Sequence, residues 1–154
     1  YQATTFRNKT ILSGQAVGAL KVIAMLTLAL TVVQVVFGTE VRETIDHLND
    51  GGFERTAWVA QLGQPYFIHR VLAYTSLGLT LLLFFLVKNK FSSLTLQSKY
   101  AWIVLILVGV QMMSGIVLAR FDVPAFAQTT HLVVASLFFG AQYYLMLLMT
   151  KLKR

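Results

Sequence analysis

Cysteine is absent from this 154-residue chain, which excludes disulfides, thiolate chemistry, iron–sulfur clusters and any heme attached through thioether bonds. Charge is also scarce. Only 12% of residues are Asp, Glu, Lys or Arg, against 56% hydrophobic, whereas a soluble domain carries about a quarter of its residues as charges. With a mean hydropathy of +0.68, this composition places the chain in a lipid bilayer. There are six acids: Glu40, Glu43, Asp46, Asp50, Glu54 and Asp122. Histidines number three, too few without cysteine to complete a four-ligand zinc site.

The residues that are abundant fall into four hydrophobic segments, Val22 to Phe37, Tyr66 to Val87, Tyr100 to Ala119 and Ala125 to Met149. A span takes about 20 mostly apolar residues. The first segment reaches that length if Gly18 to Leu20 extend it and Lys21 snorkels. A cleaved signal is a poor alternative, because a charged loop follows instead of a small-residue cleavage site. The expected fold is an all-α membrane protein, a four-transmembrane-helix bundle forming a single domain over residues 1–154. Nine of the thirteen cations, Arg7, Lys9, Lys21, Lys88, Lys90, Lys99, Lys151, Lys153 and Arg154, flank the spans on one side, and all the acids lie on the other. The basic side is expected to be cytoplasmic, with both termini there. The net charge of +7 then reads as topology, and nucleic-acid binding is set aside. The chain opens on Tyr1, which suggests a processed or truncated product; with no transit segment in view, a bacterial plasma membrane is the expected host.

The chain also repeats itself. Val33, Gln34, two apolar residues, Phe37 and Gly38 are matched in order by Val110, Gln111, Met112, Met113, Ser114 and Gly115, with Arg42 or Arg120 following. Each repeat then crosses an outer loop into a helix that opens with a histidine, His69 or His131. The expected architecture is therefore two pseudo-symmetric helical hairpins, whose pseudo-two-fold axis brings the two histidines face to face. A lone interfacial histidine is ordinarily a hydrogen-bonded structural residue. Two at equivalent depth and equivalent repeat positions point to function, and a facing pair suits the two axial positions of a heme iron.

Four arginines stand on the acidic side. Arg42, Arg120 and Arg55 have Glu43, Asp122 and Glu54 nearby as partners, pairs worth little when exposed. Arg70 follows His69 with no acid close in sequence, so it is the first choice for a heme propionate, with Arg120 second. Gln34 and Gln111 lie at packing depth, where a hydrogen bond between helices is the common use and contact with a heme edge or a quinol headgroup the functional one. Gln128, one turn before His131, is placed to line a pocket. Met112 and Met113 read as core packing rather than axial ligands. The run from Gly38 to Asp46 reads as a continued helix, with Glu40, Glu43 and His47 on one solvated face and His47 itself in an acidic loop. Asn49-Asp50-Gly51-Gly52 breaks it, and Phe53 and Trp58 supply an interfacial lid.

On Gly38-Thr39-Glu40-Val41-Arg42-Glu43 through Ile45-Asp46, on Phe67-Ile68-His69-Arg70 and on Gln128-x-x-His131, the chain resembles the heme A synthases, integral membrane enzymes of cytochrome oxidase assembly. The resemblance spans all but the N-terminal stretch and is closest to the C-terminal four-helix half of the family. It implies that His69 and His131 are the axial ligands of a heme b. It also implies a second four-helix half, or a homodimer partner, holding the heme that is modified as a methyl of heme O is oxidised to the formyl of heme A. The family's reaction uses an outer-side glutamate near a histidine ligand. Tyr66 stands one turn before His69 here, leaving Glu40 or Glu43 as candidate substitutes.

Three readings follow. The chain is one half of a heme A synthase-type oxidoreductase, contributing the heme b half. Alternatively it is a non-catalytic b-type cytochrome or assembly subunit serving a respiratory complex. Or it is a heme-free membrane scaffold.

Overall fold

The computed structural model describes residues 14–91 and 95–152. Among these residues the secondary structure is entirely helical: α1 (Gly14–Asp50), α2 (Arg55–Gln61), α3 (Gly63–Lys90), α4 (Leu96–Arg120) and α5 (Ala125–Thr150). All but α2 are long and apolar enough to cross a membrane, so each expected segment has its helix. The fifth helix, α2, was not anticipated from the sequence. Its seven residues are too few for a periodicity to register, and it is held by packing: Trp58 is buried and donates its ring N–H to the Phe53 carbonyl at 3.0 Å.

The 37 residues of α1 rise about 55 Å, well beyond the about 30 Å of hydrocarbon, so its last turns stand outside the bilayer as the run from Gly38 to Asp46 suggested. The helix stops at the expected glycines, where Gly52 takes a left-handed φ of 74° that glycine adopts without steric cost. His47 thus lies on the last turn of α1 and not in a loop, although it is exposed as expected. The α4–α5 turn is tighter still. Asp122 and Val123 both have φ above 50°, an uncommon conformation for a β-branched residue. Burial of Val123 with Ile45, Trp58 and Leu62 and its N–H bond to the Leu118 carbonyl at 3.0 Å offset the strain.

Helix α1 packs on α3 and α5, and α4 packs on the same two, so α1 opposes α4 and α3 opposes α5 across the bundle. The core records the internal repeat. The register that aligns Gln34 with Gln111 also aligns buried Ala24, Thr27 and Thr31 with buried Ala101, Val104 and Val108. The register that aligns His69 with His131 aligns Leu83 and Val87 with Leu145 and Met149, all buried. These side chains form an apolar cluster toward the basic end, while large side chains such as Met25, Phe85, Ile106 and Leu137 face outward, as lipid solvation requires. At the basic end the Lys21 ammonium donates to the Leu152 carbonyl at 3.1 Å, which places the start of the first span beside the end of the last. Arg7, Lys9, Lys153 and Arg154 lie outside the described residues.

Three expected ion pairs are replaced. Arg42 meets Asp46 at 2.7 Å and not Glu43, because residues four apart share a helix face and adjacent ones do not. Arg55 lies over the Trp58 ring, 5.0 Å from its centroid, instead of pairing with Glu54. Arg120 and Asp122, at the start of the left-handed turn, make no ion pair among the described residues.

Candidate functional site

His69 and His131 each lie less than two turns inside the N-terminal end of their helices, α3 and α5. Both are half-buried. Opposite each ring stands the glycine of the repeat. A Cβ placed on Gly38 would lie 3.3 Å from His69 Cε1, and one on Gly115 would lie 3.4 Å from His131 Cε1. The glycines were visible in the repeat, but their role was not. They let the backbones of α1 and α4 come against the imidazole edges.

Hydrogen bonding fixes the tautomer of each ring. The His69 Nδ1 is 3.1 Å from the Gln34 carbonyl oxygen, which can only accept, so the proton sits on Nδ1 and the lone pair is left on Nε2. At His131 the partner is Ser114. Its hydroxyl donates to the Gln111 carbonyl at 2.9 Å and lies 2.7 Å from His131 Nδ1, so its oxygen accepts the Nδ1 proton. The Gln111 amide nitrogen, 3.0 Å away, donates to the remaining Nε2 lone pair, and the Gln111 side-chain oxygen is buried without a partner. Both rings therefore direct an Nε2 lone pair away from an anchored Nδ1–H, the arrangement in which histidine binds a metal.

The two halves of the site are not identical. Phe37 occupies in the first repeat the position that Ser114 occupies in the second, so His69 is anchored by backbone alone and His131 by a side chain. Ser114 was not singled out from the sequence; the Gln-x-x-Ser-Gly register was the available signal. Ser114→Ala removes the anchor, and the expected cost is about 1–2 kcal/mol in reversible detergent unfolding, with Ser114→Thr recovering part of it.

The other candidates are distributed unevenly. Gln34 and Gln111 meet the histidines, the first through its backbone and the second through both backbone and side chain. Gln128 accepts from Arg42 and donates to the Val123 carbonyl at 2.9 Å, which ties the outer part of α1 to the α4–α5 turn. Arg70 is exposed, 5.5 Å above the Tyr66 ring, and Arg120 is exposed at the end of α4. Neither has a carboxylate partner among the described residues. Glu40 and Glu43 are exposed toward the C-terminal end of α1, with Glu43 3.8 Å from His47. No group of three or more His, Cys, Asp or Glu side chains able to hold a metal ion occurs among the described residues, so the face bearing Glu40, Glu43 and His47 is a solvated one.

The donor set suits an iron held by two imidazoles in a macrocycle, which needs one nitrogen from each side. At His131 the Gln111 amide stands on the Nε2 lone pair and would have to leave it for that nitrogen to bind a metal.

No individual curated protein and no solved structure matches the chain. A family model, COX15-CtaA, described as cytochrome oxidase assembly protein, matches residues 1–143. That range includes both repeats, both histidines, the first three spans and the fourth as far as Tyr143. The chain is accordingly an integral membrane member of the COX15-CtaA family of cytochrome oxidase assembly proteins, the heme A synthase family.

Proposed function

We propose that this chain binds heme b between His69 and His131 and supplies the electron-transfer half of a heme A synthase. The observation that carries the reading is the pair of imidazoles at equivalent positions on opposed helices, each with its Nδ1 held by a hydrogen bond. Gln34 and Ser114 hold the rings in that orientation, and Gly38 and Gly115 admit them to the helix interface. Arg70 and Arg120, both exposed, are the residues to meet the propionates, and Gln128 fastens α1 to the α4–α5 turn. When bound, a heme with two histidine ligands passes single electrons and has no open position for a reactant.

The oxidation of a heme O methyl to the formyl of heme A then belongs to a second four-helix half or a second copy of the chain. Glu40 and Glu43 stay the candidate substitutes for the family's glutamate in that reaction, both exposed on α1.

The test is a reduced pyridine hemochrome spectrum with mass analysis of the heme extracted from the purified chain. Heme b is the expected result. Heme O or heme A would make this half the seat of the chemistry, and a chain that neither carries heme nor gains a Soret band on titration with hemin would overturn the proposal.

A further inference from the structure

Deeper than the histidines, the core holds a set of polar side chains that the heme reading does not use. Thr27 and Thr31 of α1, Ser76 and Thr80 of α3 and Gln142 of α5 are each no more than 4% exposed. Thr80 and Gln142 correspond in the register that matches His69 with His131, so the two helices that carry the histidines each send a polar group into the same level of the bundle. Thr31 reaches across from α1 to the Gln142 side-chain oxygen at 2.7 Å. Apolar Leu83, Val87, Leu145 and Met149 close the level toward the basic end.

A serine or threonine inside a helix ordinarily satisfies its hydroxyl on the carbonyl one turn back. Thr27, Thr75, Thr130 and Ser136 all do so here, at 2.7 to 3.1 Å. Ser76 and Thr80 do not: both hydroxyls, together with the Gln142 amide nitrogen, are buried without any partner. Thr75 makes the contrast sharp, because it is Ser76's neighbour, faces outward and is back-bonded. Unmet polar groups are costly in a bilayer, where no bulk water can reach them.

We infer that the bundle interior binds water at this level, hydrogen-bonded to Ser76, Thr80 and Gln142. The chemistry fits water and not a cation. The site offers two hydroxyls that both donate and accept and an amide that donates, and no charged side chain is among its residues. Two to four polar partners are what an internal water requires. The bound water bridges α3 to α5, helices that oppose each other across the bundle, and joins both to α1 through the Thr31–Gln142 bond. It thereby holds the spacing of the histidine-bearing helices from below.

The inference is independent of heme and is tested on the purified chain in lipid nanodiscs before any heme is added. Infrared difference spectra between H2(16)O and H2(18)O reveal the O–H stretch of tightly held water. An isotope-sensitive band is expected in the wild type, with loss of that band in Thr80→Val/Gln142→Leu and retention in Thr75→Val. Absence of the band in the wild type, or its persistence in the double variant, overturns the inference. If the double variant fails to fold, Ser76→Ala serves in its place, with a shifted band expected and an unchanged one counting against the site.

Discussion

His69→Ala and His131→Ala are each expected to lose most of the heme proposed to bind between the two rings. Loss of an outer-shell partner of a metal ligand costs roughly 10–100-fold in affinity, and loss of the ligand itself is expected to exceed that. The two variants are expected to differ in what remains. In His131→Ala, Ser114 and the Gln111 amide lose their shared partner, so the outer half of the α4–α5 interface loosens along with the ligand. In His69→Ala only a backbone carbonyl is left unpaired. Residual heme is therefore greater in His69→Ala, and any that stays should show the spectrum of an iron with one imidazole. His47→Ala is the control, because its ring is exposed on the last turn of α1. The measurement is heme per chain after purification under identical conditions. Full heme content in both variants would remove the two-histidine proposal.

Leucine at Gly38 or Gly115 is expected to be nearly as damaging. A Cβ alone would stand 3.3 to 3.4 Å from an imidazole carbon, tight enough that the ring must give by a few tenths of an ångström, and the branches of leucine have nowhere to go. Overpacking of this kind costs about 1–3 kcal/mol, and the displaced ring loses its anchor as well. Gly109 supplies the comparison. It lies on the same helix as Gly115, and nothing stands within 4 Å of its would-be Cβ. Gly109→Ala should stabilise the helix by about 0.5–1 kcal/mol, whereas Gly115→Ala should gain nothing or lose. Reversible unfolding in detergent, read beside heme content, checks both. Equal behaviour of Gly109→Leu and Gly115→Leu would mean that the close approach of α4 to His131 is not essential.

The site's asymmetry bears on how the two halves of the repeat divide their work. A duplicated hairpin would place identical surroundings about each histidine, yet Phe37 stands where Ser114 stands and only His131 has a side-chain amide on its lone pair. The two rings thus differ in what holds them, a backbone carbonyl for His69 and the side chains of Ser114 and Gln111 for His131.

Composition by itself determined the membrane, the four spans and the segregation of charge, because the bilayer imposes length and apolarity on any spanning helix regardless of its neighbours. The repeat determined the equivalent positions of His69 and His131 on α3 and α5, since equal distances along two similar hairpins put equal residues at equal depth. The outer extension of α1 was readable from its amphipathic spacing and its terminal glycines. Tertiary structure alone decided the rest. Arg42 chose Asp46 and Gln128 over its neighbour Glu43 because helix geometry, not chain order, sets which side chains meet. Short α2 exists because Trp58 has a place to bury, and Val123 takes a strained conformation for the same reason. The role of Ser114, the close approach at the two glycines and the unpartnered hydroxyls of Ser76 and Thr80 depend on which face of one helix another covers. Hydrophobic period carries little of that information in a membrane, where outward and inward faces are both apolar.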